Sequence, residues 1–285
     1  MKKNISLFAA AVVMFSVQSC SRSSEIDGNL LNDMDANQGG LIGKRALFRE
    51  TMVGDTLTYY YTGYNLTSAI GTNDATLISY NGNAIDKISF NGFVGNNMVS
   101  YTQNFNYDNN GVINTVIENR NVTPAGQATA INIKSEITVK YKADKSIDSL
   151  IVKSGEVVAG QPFEYNAYAR TAFTYTTNKN VTQLVKNQGV ITAGQFVPSI
   201  VNTTYKFENF DDKKSPYSLI PFAYLLSQAI DETGNAYKFS TNNPKKMSFQ
   251  THLMPNPTVV TTANTYDPQD YLATSFNVFF QYKPF

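Results

Sequence analysis

Apolar and polar positions alternate in short runs over most of the chain, and Asn, Asp, Gly and Lys punctuate the runs. One unit recurs. An aromatic residue ends a run, a short polar turn follows, and then a β-branched or leucine residue appears with another apolar residue three places on. The unit reads "YYTGYNLTSA" from Tyr60, "YNGNAIDKI" from Tyr80, "YDNNGVINTV" from Tyr107, "YKADKSIDSL" from Tyr141 and "YTTNKNVTQL" from Tyr175. Tyr107, Ile113 and Val116 share their spacing with Tyr141, Ile147 and Leu150, and with Tyr175, Val181 and Leu184. The first copy carries Ala69 in its last apolar slot, and the second has a turn one residue shorter. Each unit predicts a strand, a tight turn and an antiparallel return, with Gly82 and Gly111 free to take positive φ. Hairpins repeated at short intervals predict an all-β fold, an antiparallel meander forming one long twisted or curled sheet. Ile147 and Leu150 are three apart, which puts them on opposite faces of a regular strand. Either both sheet faces are partly covered, or a bulge follows the turn and re-aims one side chain.

A different period interrupts the strands once. In "PFAYLLSQAIDETG", Phe222, Leu225, Leu226, Ala229 and Ile230 fall on one face at helical spacing, which predicts a short amphipathic helix near 221–233. Pro221 suits its first turn and Gly234 its C-terminal cap. Such a helix packs over one end of a sheet, or acts as a lid over a pocket. The final "SFNVFFQYKPF" reads as a strand with Phe276, Val278 and Phe280 alternating, tucked into the sheet rather than left as an exposed edge.

The amino terminus follows neither pattern. Lys2 and Lys3 precede an apolar stretch from Ile5 to Val17. That is the layout of a secretory signal peptide over residues 1–19, and it is too short to span a bilayer, which takes about 20 apolar residues. Val17-Gln18-Ser19-Cys20 resembles a bacterial lipobox, so Cys20 is the candidate lipidation site and the link to a membrane. Cys20 is the only cysteine, so no intramolecular disulfide is expected. Residues 20–43 read as a lipidated flexible tether, polar and without apolar periodicity, and residues 44–285 as a single β-repeat domain. Asp33, Asp35 and Asn37 begin like an EF-hand loop, but Gln38 stands at the glycine position and Lys44 where the bidentate glutamate belongs.

The repeat grammar resembles the tyrosine–aspartate repeats of large bacterial shell-forming proteins. It resembles more closely a family of Bacteroidota lipoproteins built from such hairpins. The resemblance rests on Tyr107-Asp108-Asn109-Asn110-Gly111, on "YKFENFDDKKSPY" (205–217) and on "STNNPKKMSF" (240–249), and covers roughly 57–250. Only the third repeat keeps the Tyr-Asp pair. The resemblance implies a β-hairpin fold and an envelope location, and it implies no activity.

Candidate chemistry is sparse. His252 is the only histidine. No Gly-x-Ser-x-Gly elbow accompanies it, and a zinc site needs more ligands than one His and spare carboxylates. Asp211 and Asp212 are adjacent in a segment that reads as a turn, where solvation or turn formation accounts for them better than a catalytic pair does. "NQGGLIGKR" lacks the order of a phosphate-binding loop. Asp55-Thr56-Leu57 and Asp148-Ser149-Leu150 look like short O-glycosylation sequons, with Thr56 the better acceptor because Ser149 falls in a strand. Loss of Lys2 and Lys3 takes 23 basic residues to 21 against 22 acidic, a net charge of −1, which gives no electrostatic case for nucleic acid. No cofactor or metal is indicated. These readings converge on an outer-membrane lipoprotein of binding, accessory or structural type, presenting a β-sheet surface to a glycan or an outer-membrane partner. A hydrolase of envelope polymers, with carboxylates converging near His252 or Asp211, is the alternative.

Overall fold

The computed structural model describes residues 44–284, so the signal peptide, Cys20 and the tether lie outside the described residues. Seventeen strands form one antiparallel sheet. They are β1 (Arg45–Met52), β2 (Asp55–Thr62), β3 (Asn65–Ile70), β4 (Asp74–Asn81), β5 (Ala84–Val94), β6 (Asn97–Tyr107), β7 (Ile113–Thr123), β8 (Ile131–Tyr141) and β9 (Ile147–Glu156). The rest are β10 (Ala167–Tyr175), β11 (Val181–Thr192), β12 (Gln195–Glu208), β13 (Lys246–Thr251), β14 (Thr258–Thr261), β15 (Thr265–Tyr266), β16 (Leu272–Ser275) and β17 (Val278–Pro284). From β1 to β14 each strand pairs with its successor. β17 returns to the far side of β1 and carries β16 and β15 beyond it. The terminal strand is therefore internal to the sheet, as its aromatic content predicts. Phe276 is not part of it: Phe276 and Asn277 take φ 47° and 63° in the turn before β17.

The bulge resolves the spacing of the repeat. Tyr80, Tyr107, Tyr141 and Tyr175 pair with Ile85, Ile113, Ile147 and Val181, and at each the register slips by one residue. The extra residue follows the turn, as Asp148 does in β9, so Ile147 and Leu150 both point inward and are buried. In the first copy the inward aromatic is Tyr61, paired with Leu66; Tyr60 faces out. Each inward phenol then reaches the preceding hairpin. Tyr61 donates to the Leu47 carbonyl at 2.9 Å, Tyr80 to Leu66 at 3.0 Å, Tyr107 to Ile85 at 2.6 Å and Tyr141 to Ile113 at 2.8 Å. From Leu66 on, the acceptor is the first apolar residue after a turn, where the bulge disrupts the ladder and a backbone group needs another partner.

Between β12 and β13 lies a helical insert: a 3-10 turn (Pro216–Leu219), helix α1 (Phe222–Asp231) and a second 3-10 stretch (Thr233–Phe239). It sits inside the curl. Tyr224 meets Tyr59 of β2 edge-on at 6.1 Å, Tyr217 meets Phe280 of β17 at 6.3 Å, and Phe239 meets Phe173 of β10 at 6.3 Å. Ser240 Oγ accepts from the Val181 amide of β11 at 3.0 Å. Partners on strands this far apart mean that the sheet wraps around the insert. The helix is consequently buried on most sides rather than along one stripe: Ala223, Tyr224 and Ser227 are buried along with Leu225, Leu226 and Ala229, and Phe222 is exposed. Gly234 does not cap it. The helix ends at Glu232, in extended backbone, and the Gly234 amide donates to Glu232 Oε1 at 3.1 Å.

The two edges of the curled sheet, β14 and β15, are joined only by residues 262–264, and no ladder links them among the described residues. Asp211, just after β12, holds this seam. Its carboxylate accepts from Asn243 Nδ2 (3.3 Å), Asn264 Nδ2 (2.9 Å) and the Tyr266 hydroxyl. The two faces of the sheet differ in polarity. Inward positions of the long strands are mostly apolar, with Val99, Phe105, Val116, Ile137, Val139 and Phe173 buried. Outward positions include exposed Lys87, Asn104, Asn119, Lys140, Lys153, Arg170, Asn187 and Lys206. Membrane-spanning barrels have the reverse pattern, and an outward Lys or Arg at mid-membrane costs about 2–4 kcal/mol. The outer face of this sheet carries charged and amide groups on most of its long strands, interspersed with exposed apolar residues such as Leu77, Met98 and Phe279.

Candidate functional site

The sheet offers two concave features at the rim opposite the tyrosine turns. The first is a groove on the outer face. Gly155 lets the 157–166 loop fold back over β9: a Cβ there would lie 2.0 Å from the Glu164 carbonyl oxygen. Gly189 of β11 clears the next space, since a Cβ would lie 2.5 Å from the Phe196 ring. Tyr168 pairs across the sheet with Lys153 and Gly189, and over the missing side chain its ring reaches Phe196 at 4.0 Å between centroids. Tyr165 stands edge-on to Phe163 at 4.9 Å, and burial, with the field of Glu136, raises the Tyr165 phenol pKa. Lys153, Glu164, Tyr165, Tyr168 and Phe196 line the groove, which encloses about 490 Å³. An aromatic ledge beside one ammonium and one carboxylate can stack on a ring and hydrogen-bond its polar edge.

The second feature is a cup on the inner face, where α1 ends. Its deep wall is Glu118, Ser135, Ile137, Leu150, Thr171, Ala229 and Thr233, all buried. Its mouth is formed by partly exposed Ile133, Val152, Ser154, Ala169 and Gln188. The Arg120 guanidinium bridges Glu118 (Nε–Oε1 2.9 Å) and Asp231 (Nη2–Oδ1 2.7 Å), while Gln103 Nε2 donates to Glu118 at 2.7 Å. Burial works against the Arg120 charge, but Glu118 and Asp231 outweigh it and raise the pKa. Arg120 also lies over the Tyr101 ring at 4.6 Å. Lys186 Nζ reaches Thr233 Oγ1 at 3.3 Å, and burial lowers its pKa against the opposing field of Glu232. Both cations stand at the C-terminal end of a helix, where the backbone dipole favours positive charge.

The residues singled out by sequence fall elsewhere. His252 is exposed beyond β13, its amide donating to the Asn202 carbonyl at 3.3 Å. Asp211 belongs to the seam and Asp212 is exposed. Thr56 is partly exposed at the start of β2, with its amide bonded to Asp55 Oδ1 and Thr72 Oγ1, whereas Ser149 is buried. Among the described residues no group of three or more His, Cys, Asp or Glu is placed to hold a metal ion. Sequence reading missed Glu118, Arg120 and Lys186. The signal was available, because counting by twos inward from Val116 and Leu184 lands on them, charges in the apolar phase of a strand. Gly189 and Phe196 gave no such signal, since their meeting depends on an irregular register between β11 and β12.

No family model matches this chain, and no curated protein matches it. Among solved structures it is similar to a porin-like protein from Bacteroides vulgatus ATCC 8482, with 8% identity and a TM-score of 0.51, covering 84% of this chain and 97% of that one. A porin-like protein from Bacteroides uniformis ATCC 8492 aligns at 10% identity and a TM-score of 0.44, over 82% of this chain and 95% of that one. At such identity, the first of these likenesses establishes a shared β-sheet architecture.

Proposed function

We propose that this chain is a cell-envelope lipoprotein of the binding or accessory type, held at the outer membrane through Cys20, which presents the aromatic groove of its outer sheet face to a glycan. The observation that carries this reading is the ledge of Tyr165, Tyr168 and Phe196 flanked by Lys153 and Glu164. Sugar rings offer an apolar face to an aromatic and hydroxyls to a flanking charge. The charged and amide groups of the outer face support a domain that stands beside a membrane on a tether rather than within it. The structural likeness to porin-like Bacteroides proteins is in keeping with an envelope location. An outer-membrane protein partner is the second reading, favoured by exposed Val190, Val197 and Ile200 next to the groove. The hydrolase reading has less support, since Glu118 and Asp231 are both engaged by Arg120 while glycoside hydrolysis needs one carboxyl free to deliver a proton.

The test is affinity electrophoresis of the full-length protein in detergent through gels containing envelope or dietary polysaccharides, with Tyr168→Ala and Phe196→Ala as variants. Retardation of the wild type that is lost in both variants supports the glycan reading. Migration unaffected by every polysaccharide, together with a stoichiometric membrane protein recovered by the wild type and not by Cys20→Ala, replaces it with the protein-partner reading.

A further inference from the structure

We propose that the cup inside the curled sheet is a separate binding site for one neutral polyhydroxy ring, a molecule of monosaccharide size and chemistry. Three observations define the ligand. The cup encloses about 240 Å³, below the roughly 300–1,000 Å³ of sites for drug-sized molecules, so a single ring fills it. Its formal charges cancel: Arg120 and Lys186 stand against Glu118 and Asp231, so an ionic ligand meets no net opposite charge to offset its desolvation. Its wall combines hydroxyl and amide groups of Ser135, Ser154, Thr171 and Gln188 with the aliphatic surfaces of Ile133, Ile137, Leu150 and Val152, which suits a ring with polar edges and an apolar face.

The charged groups divide the work. Arg120 is fixed from two sides and holds Asp231 by one oxygen, Oδ1. Asp231 Oδ2 is then placed to accept from a ligand hydroxyl. Lys186 makes no ion pair within 4.0 Å among the described residues, and its ammonium donates to Thr233 alone at 3.3 Å, so it can donate to a ligand oxygen. A donor and an acceptor held in one small cavity fix the orientation of vicinal hydroxyls. The site lies on the face of the sheet opposite the groove and does not depend on the groove's function.

The experiment is calorimetric titration of the full-length protein in detergent with glucose, galactose, mannose and xylose, and with gluconate and glucosamine as charged counterparts. At least one neutral sugar should saturate, with gluconate and glucosamine weaker by about tenfold or more. Thr171→Val, which keeps the shape and removes the hydroxyl, should weaken that sugar by about tenfold, and Ala169→Leu, which fills the mouth, should abolish binding. Tyr168→Ala in the groove should leave it unchanged. Failure of all four neutral sugars to saturate at millimolar concentration overturns the proposal. So does binding of gluconate or glucosamine as tight as that of the neutral sugar, or binding that survives Ala169→Leu in a variant with unchanged thermal stability.

Discussion

A tyrosine hydroxyl does the same task repeatedly in this protein. It spans from one hairpin to the carbonyl at the bulge of the one before, so each repeat is stitched to its neighbour by a side chain as well as by the ladder. Tyr141→Phe keeps the ring and removes only the bond to Ile113, so urea denaturation should show a loss of about 1 kcal/mol; an unchanged midpoint would mean that water serves the carbonyl equally well. The turns hold a second residue-scale feature. Four positions after the tyrosine, Gly111, Lys145 and Lys179 take φ of 73°, 67° and 61°. Two lysines thus occupy left-handed backbone that glycine adopts without steric cost. Lys145→Gly should stabilise the protein by up to about 1 kcal/mol, read as a raised melting temperature, and the reciprocal Gly111→Lys should lower it.

At the level of elements, the helical insert is the core of the molecule, and the sheet is its shell. Leu226 is fully buried at its centre, so Leu226→Ala should cost about 2–5 kcal/mol, measured by chemical denaturation. A loss under 1 kcal/mol would show that the insert packs loosely and that the sheet is stable without it. The seam depends on a polar contact instead of packing. Asp211→Ala leaves the Asn243 and Asn264 amides and the Tyr266 hydroxyl without their shared acceptor, at about 1.5–3 kcal/mol for bonds to a charged group. Hydrogen exchange should then quicken in β14 and β15 before any other strand.

The whole molecule places many phenols where they cannot ionise. Burial foremost, and then the Glu50 carboxylate, holds the pKa of Tyr59, Tyr217 and Tyr224 well above the ordinary value, and Tyr282 is raised by burial and Asp267. Tyr141 is pushed up to about 12, again mainly by burial. The unfolded chain ionises these groups near pH 10 while the folded one keeps their protons. Their contribution to stability is complete below about pH 10 and is lost as the pH rises through the folded values. Lys186 and Lys238, lowered by burial, act in the opposite sense: the folded state gains stability between their folded values and about pH 10.5, where the unfolded lysines release their protons. Unfolding above pH 10 should therefore be steep and tyrosine-driven, with near-ultraviolet phenolate absorbance rising in step with loss of β-sheet circular dichroism. Ionisation of all the phenols with the sheet intact would refute this account.

Much of the architecture was determined by the sequence alone. The repeating aromatic–turn–apolar unit dictated antiparallel hairpins, because a period of two with polar turns permits little else, and the helical period of residues 221–233 stood out against it. The sequence did not decide between two covered faces and a bulge; the register settled that, because a single added residue at Asp148 restores the alternation. Nor could periodicity place the helix inside the curl, since a stripe and a fully buried helix differ only in what surrounds them. The groove and the cup are products of tertiary structure. Each gathers side chains from several strands, and those distances depend on how far the sheet curls, a sum of small twists that no local stretch of sequence encodes.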